Sequence, residues 1–277
     1  MTDVHTHTAF SPDGQNSIEE MLAAAYAMGM GYYGIAEHFD YDIIVDDLPP
    51  FMEGYVHTNP QAYFARGREL QAAYAGKMTV LLGAECAYCD NPVAQELYRK
   101  LQELYAPDFV VNSVHCSPRG DYYTKTPFYQ ADGRVRDKDE VYEEYFALIR
   151  RSVDADYEYD ILAHVNYCAR YAPYEDNEAR WKDYSTAIDG ILKALIARDK
   201  ILEVNTSNKG CVGWMIPNTD ILERYFELGG RKISFASDAH YRSRIGEHRD
   251  KVVDNLRAIG FDSITVPVRK KHIQIEI

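Results

Sequence analysis

Short apolar runs alternate along the chain with longer segments whose apolar positions recur every three or four residues. The first pattern predicts buried strands and the second amphipathic helices. Strands are expected at 3–8, 32–37, 79–86, 109–115, 160–166, 201–206 and 232–236. Helices are expected between them, at 17–28, 60–75, 92–105, 139–154, 184–198, 219–228 and 247–259. Ser17 with Glu20 three residues on predicts a capping box, and Pro60 and Pro92 suit first helical turns. Gly29, Gly76 and Gly229 suit helix ends. Seven strand–helix pairs in alternation predict an α/β fold, a parallel sheet with crossover helices, and that number favours a barrel over an open sheet. The tail offers two more β segments, 263–268 and 272–277, as an added strand or a hairpin cap. Nothing marks a domain boundary, so residues 1–277 read as a single barrel domain.

Two stretches break the alternation. Residues 39–59 carry Asp40, Asp42, Asp46, Asp47 and Glu53 with Pro49-Pro50, and residues 117–137 carry Arg119, Lys125, Arg134 and Arg136. Both follow strands, where barrel enzymes carry their functional loops. The same charges also suit plain solvated loops.

Composition narrows the partners. The 277 residues hold 43 acidic and 30 basic side chains, a formal charge of −13. That balance argues against nucleic acid or a membrane surface, which are polyanionic. It permits a small anionic substrate at a locally cationic site. The five cysteines are odd in number and scattered, unlike a disulfide framework, and the lone Cys86-x-x-Cys89 reads as small apolar filler. No apolar run reaches the roughly 18 residues of a membrane span. The polar start, Met1-Thr2-Asp3-Val4-His5, does not read as a secretory signal, and the expected location is cytoplasmic.

The chemistry collects at the strand ends. The first strand ends in His5-x-His7 with Asp13 following, the second in Glu37-His38 and the third in Glu85. The fourth ends in His115, the fifth in His164 and the seventh in Asp238-x-His240. Six of the nine histidines thus fall where parallel barrel strands converge on one face. His57, His248 and His272 read as structural. Alternation puts Asp3, His5 and His7 on one side, with Asp3 placed to orient His5 from behind. Counting back by twos gives Gly34, Ala36, Leu81, Gly83, Val111, Ser113, Leu162, Ser234 and Ala236, mostly small, which leaves room for ions under the rim. Cys86 and Cys116 should point toward the helices. Imidazole and carboxylate together suit zinc, iron or manganese, and nine such donors exceed the coordination of one ion. They suit two or three.

In chain order the motifs are Asp3-x-His5-x-His7-Thr8, Phe10-Ser11-x-Asp13, Glu37-His38, Glu85, Ser113-Val114-His115, His164, Glu203-x-Asn205-Thr206-Ser207 and Ser237-Asp238-Ala239-His240. Together they resemble the PHP (polymerase and histidinol phosphatase) family over essentially the whole chain, most nearly its histidinol-phosphate phosphatase branch. The resemblance implies a distorted (β/α)7 barrel with a trinuclear metal centre at the C-terminal ends of the strands. It implies His5, His7, Glu85 and Asp238 around one divalent ion. A second would sit among Glu85, His115 and His164, with Glu85 bridging, and a third among Asp13, His38 and His240. Arg170, six residues after His164, and Lys209, four after Asn205, stand near where the family grips phosphate. Around Lys209 the sequence Asn208-Lys209-Gly210 departs from the family's Gly-led pattern.

The implied reaction is metal-dependent hydrolysis of L-histidinol phosphate to L-histidinol and phosphate, a step of histidine biosynthesis. Two ions would lower the pKa of a shared water. The third ion and the basic residues would neutralise the equatorial phosphoryl oxygens. No side chain is assigned as a catalytic acid. Alternatives are a phosphodiesterase or exonuclease of the same family, a phosphatase for another small ester, or a non-catalytic metal-binding domain. An amidohydrolase shares the first-strand His-x-His but carries a modified lysine at the end of the fourth strand, where this chain has His115.

Overall fold

The barrel strands follow one another in space as they do in sequence: β1 (Thr2–Asp3), β2 (Tyr32–Phe39), β3 (Thr79–Ala87), β4 (Phe109–Ser113), β5 (Ile161–Leu162), β6 (Ile201–Asn205) and β7 (Ile233–Ala236). All neighbours pair in parallel. Val4 N–H donates to the Phe235 carbonyl (3.2 Å) and His7 N–H to that of Ala239 (2.9 Å), closing β7 onto the chain after β1. This is the expected seven-stranded α/β barrel, here a computed structural model that describes residues 1–46, 48, 50, 52–207 and 213–277.

The helices are α1 (Ile18–Ala27), α2 (Tyr41–Val45), α3 (Pro60–Ala73), α4 (Pro92–Tyr105), α5 (Lys138–Ser152), α6 (Ser185–Ala197), α7 (Thr219–Glu227) and α8 (Arg249–Ile259). Ser17 and Glu20 form the capping box that opens α1, and Asn59, Asn91 and Asp137 cap α3, α4 and α5 with their side chains. The short α2 lies inside the stretch read as an acidic loop, and its five residues are too few to show a helical period. Among the described residues no helix is long and apolar enough to cross a membrane.

Two strands are shorter than the apolar runs suggest. The expected strands 3–8 and 160–166 shrink to two residues each. Beyond β5 the chain turns at His164, which has φ 24°, and beyond β7 it turns at Asp238, with φ 50°. A left-handed non-glycine residue cannot continue a strand, and each such conformation costs about 1–3 kcal/mol unless its surroundings impose it. The turn breaks the count by twos: Leu162 packs on the helix side, while Ile161 and Ala163 face the barrel interior.

The interior is also fuller than a row of small residues implies. Val4, Ala36, Leu81, Phe109, Val111, Ile161, Ala163 and Ile201 make one buried apolar cluster inside the strands. Phe109 fills the space that Gly34 and Gly83 leave open. A Cβ on Gly83 would stand 2.4 Å from the Phe109 ring, and one on Gly34 would stand 3.0 Å from it. Burying such a ring stabilises the fold by about 1.5–3 kcal/mol. Room for ions therefore lies above this apolar layer, at the strand ends.

The tail forms the hairpin, β8 (Ser263–Val268) paired antiparallel with β9 (Lys271–Glu276). Val266, Val268 and Ile275 pack onto the interior cluster. Arg269 donates from its backbone N–H to the Asp108 carbonyl (2.9 Å) and from Nε to the Asp108 carboxylate (3.0 Å), just before β4 begins. The hairpin thus closes the N-terminal end of the barrel.

The stretch 117–137 is packed rather than loose. It holds a two-stranded ribbon, Cys116–Ser117 with Gly120–Asp121, and the buried Arg136 is tied to Glu140 and Glu144. Cys86 does face the helices, but Cys116 lines the cavity described next.

Candidate metal centre

Strand register brings the donors together. His38 and Glu85 are direct partners across β2 and β3, both on the inward side at the C-terminal end. His115 follows β4, His164 follows β5, and Asp238 and His240 follow β7. Asp238 N–H donates to the His5 carbonyl (2.9 Å), which docks the seventh strand's end against His5 and His7. Asp13 enters from the tight turn after His7.

Glu85 is the centre of the arrangement. Its Oε1 lies 3.3 Å from His115 Nε2 and 3.2 Å from His164 Nε2. Its Oε2 lies 2.8 Å from His38 Nδ1, 3.4 Å from His5 Nε2 and 3.6 Å from His7 Nε2. Each oxygen therefore serves a different group of imidazoles. Asp238 Oδ1 lies 3.2 Å from His7 Nε2, and the Asp13 carboxylate lies 3.0 Å from His240 Nε2 and 3.6 Å from His38 Nε2.

Buried polar atoms without hydrogen-bond partners gather at this point: Nε2 of His5 and His7, Nδ1 of His38, Oδ1 of Asp13 and Oε2 of Glu85. Buried polar groups left unpaired are costly, so such a set calls for an occupant. Four overlapping triads have donor atoms within 4.8 Å of one another: His5–His7–Asp238, Glu85–His115–His164, His7–His38–His240 and His38–Asp40–His115. Imidazole nitrogen with carboxylate oxygen is the chemistry of divalent transition metals, and the donor set fits them.

The tautomers agree with that fit. His5 Nδ1 sits 2.6 Å from Glu203 Oε2, so it carries the proton and leaves Nε2 with a free lone pair. His7 Nδ1 faces Ser11 Oγ at 3.3 Å, and Ser11 in turn donates to Glu37. His115 Nδ1 faces Asp40 at 3.7 Å while its Nε2 faces Glu85. Glu203, Ser11, Glu37 and Asp40 thus stand behind the donor rings, though none follows from the donor pattern alone. Glu203 had one signal: it alternates with Asn205 at the end of β6, on the inward side. The Asp3 carboxylate accepts from Ser237, from Gly246 N–H (2.9 Å) and from the His5 backbone, so it meets the His5 main chain rather than its ring.

The electrostatics are those of tightly packed opposite charges. Burial works against it, yet the imidazoles of His5, His38 and His115 hold the Glu85 carboxyl well below the usual range. Burial likewise opposes charge on His38, but Glu85, Asp13 and Asp40 lift it to about 10. His7 goes the other way, down to about 3, through burial and then the neighbouring His38 and His240. Burial pushes Glu37 up to about 7 against its hydrogen bonds from Ser11 and Thr8.

A cavity of about 230 Å³ opens over these groups. Asp40, Asp42 and Asp121 line it from the loops after β2 and β4, and Arg170 and Ser207 line it from the segments after β5 and β6. Arg170 is buried, donates from Nη2 to Asn205 Oδ1 (3.2 Å) and lies 5.1 Å from the Tyr167 ring centre. Lys209 lies outside the described residues. The remaining histidines sit elsewhere: His248 near Trp214, His57 against Tyr55, and His272 on the hairpin beside Lys232.

Residues 3–207 match the PHP domain family. A protein of Clostridium acetobutylicum described as a probable histidinol-phosphatase is 32% identical over 247 residues, 88% of each chain. A Lactococcus lactis histidinol-phosphatase is 28% identical over 263 residues, 95% of this chain and 92% of its own. A crystal structure of histidinol phosphate phosphatase from Lactococcus lactis, complexed with zinc, L-histidinol and phosphate, superposes with a TM-score of 0.80 at 24% identity, covering 98% of both chains.

Proposed function

The chain belongs to the PHP domain family, and from that premise we propose the reaction and the residues that carry it. The protein is a phosphoric monoester hydrolase, a histidinol-phosphatase that converts L-histidinol phosphate and water to L-histidinol and phosphate in histidine biosynthesis. The observation that carries the reading is the convergence of six imidazoles with the carboxylates of Asp13, Glu85 and Asp238 beneath one cavity.

In this reading residues 1–277 act as one barrel domain. His5, His7, Glu85 and Asp238 would hold one divalent ion, Glu85, His115 and His164 a second, and Asp13, His38 and His240 a third. The donor set would suit zinc, iron or manganese. Bound ions supply a lowered pKa for water at neutral pH and Lewis-acid neutralisation of phosphoryl oxygens. The protein's own groups do the rest. Glu203 and Ser11 keep a proton on the Nδ1 of His5 and His7 and so fix those rings, while Asp40 faces the Nδ1 of His115 at 3.7 Å. Arg170 offers a fixed guanidinium to the equatorial oxygens, where charge is concentrated during in-line transfer.

The cavity has two characters, which supports the substrate. Arg170 stands on the side of β5 and β6, while Asp40, Asp42 and Asp121 approach from β2 and β4. An ester with an anionic phosphoryl group and a cationic amino alcohol matches both. The overall acidity of the chain disfavours a nucleic-acid strand, so the exonuclease alternative falls behind.

Steady-state release of phosphate from L-histidinol phosphate, against a panel of neutral and anionic monoesters, tests the proposal on metal-loaded protein. Preference for the cationic ester is expected. Release from no member of the panel refutes it.

A further inference from the structure

At the end of β6, the side-chain amide of Asn205 uses every hydrogen-bonding position it has. Its Nδ2 donates to Glu203 Oε1 (2.9 Å) and to Asp238 Oδ2 (3.2 Å). Its Oδ1 accepts from Arg170 Nη2 (3.2 Å) and from the Ser207 backbone N–H (2.9 Å). The residue is wholly buried. The orientation is determined, because a flipped amide would aim its carbonyl at two carboxylates and its NH2 at a guanidinium.

These partners have separate duties. Glu203 sits behind the His5 ring, Asp238 stands among the donors, and Arg170 faces the cavity. Arg170 Nη1 is 3.8 Å from Asp238 Oδ2, near enough for attraction but beyond hydrogen-bond distance. Without a group between them, a buried guanidinium and a buried carboxylate would close into a direct pair. Asp238 would then be less available to an ion, and Arg170 to an anion. Asn205 occupies the intervening position with a neutral amide that offers each of them a bond of the right polarity.

We propose that Asn205 is a positioning residue that holds Arg170 apart from Asp238, so that the guanidinium stays directed at a phosphoryl group. The proposal rests on the reading of Arg170 as the anion grip. It adds that the grip works only while this neutral spacer is in place.

Calorimetric titration of inorganic phosphate into metal-loaded protein tests it, with metal per chain measured on each sample so that affinities are compared at equal loading. Asn205→Ala is expected to weaken phosphate binding about tenfold, and Arg170→Ala at least as much. In the double variant the two losses should not multiply, because Asn205 acts through Arg170; contacting residues give such non-additive cycles. Losses that multiply, or unchanged phosphate affinity in Asn205→Ala, overturn the proposal. Should Asn205→Ala fail to fold, Asn205→Asp serves. It is isosteric but charged and pairs with Arg170 directly, so phosphate affinity must again fall about tenfold, and an unchanged value overturns the spacer role. Wild-type protein that binds phosphate but releases none from L-histidinol phosphate would defeat the substrate reading alone. Wild-type protein that binds no phosphate would defeat both.

Discussion

Nδ1 of His5 lies 2.6 Å from a carboxylate oxygen of Glu203, and neither side chain is accessible to solvent. Burial disfavours charge on His5, but Glu203 and Glu85 together hold the imidazole well above its ordinary range. With an ion on Nε2, the carboxylate would keep the remaining proton on Nδ1. Replacing an outer partner of a ligating histidine typically costs about 10–100-fold in metal affinity. Glu203→Gln should therefore lose metal on dialysis while remaining folded. Elemental analysis checks it, and retention equal to wild type counts against the role.

Glu85 reaches five imidazoles with two oxygens. Glu85→Ala should abolish turnover and release most of the bound metal, as read by elemental analysis beside a phosphate-release assay. The same charges set a pH dependence. Carboxylates raise His5, His38 and His115, so protons compete with ions for those nitrogens. Zinc added to chelator-treated protein at neutral pH should release protons into a weak buffer, and metal affinity should fall as the pH is lowered.

Asp121 is buried beside the cavity and accepts a hydrogen bond from Tyr123 N–H (2.6 Å). Burial pushes its carboxyl up to about 6. A cationic leaving group would find its counter-charge there, and a hydrogen bond to a charged group contributes about 1.5–3 kcal/mol, or about tenfold and more. Asp121→Asn should lower kcat/KM for L-histidinol phosphate about tenfold. It should leave p-nitrophenyl phosphate within about twofold. An equal loss on both esters would point to a structural role instead.

Far from the centre, Asp189 accepts from Arg224 Nε and Nη2 (2.9 and 2.7 Å), Trp181 Nε1 (2.9 Å) and Lys193 Nζ (3.0 Å). Arg224 above all holds its carboxyl below the ordinary value of 3.8. A carboxyl depressed on folding contributes stability that is complete above the unfolded pKa and is lost as the pH falls through the folded one. Asp189→Asn should lower Tm at pH 7, and its gap from wild type should narrow below about pH 4. A gap constant from pH 7 to pH 3 would argue against the linkage.

Apolar periodicity carried the barrel because strands and helices bury different faces at different periods, and the donors at the strand ends were readable for the same reason. His38 and Glu85 continue the inward side of regular strands, so counting by twos finds them. His164 and Asp238 do not: their positive φ values come from tertiary constraints, such as the Asp238 N–H bond to His5 O, that no local pattern encodes. Glu203 and Asn205 lay in plain alternation, but their duties depend on partners 35 and 198 residues away in sequence.

The hairpin under the barrel has a kinetic consequence. With Phe109 and the hairpin filling the space below Glu85, the described residues leave the centre open toward the cavity above it. If the phosphoryl group lies deepest, against the metal donors and Arg170, the alcohol departs before inorganic phosphate can. Phosphate should therefore inhibit competitively against the ester, whereas L-histidinol should inhibit noncompetitively. The reverse pattern in initial-rate product inhibition would mean that a second exit exists.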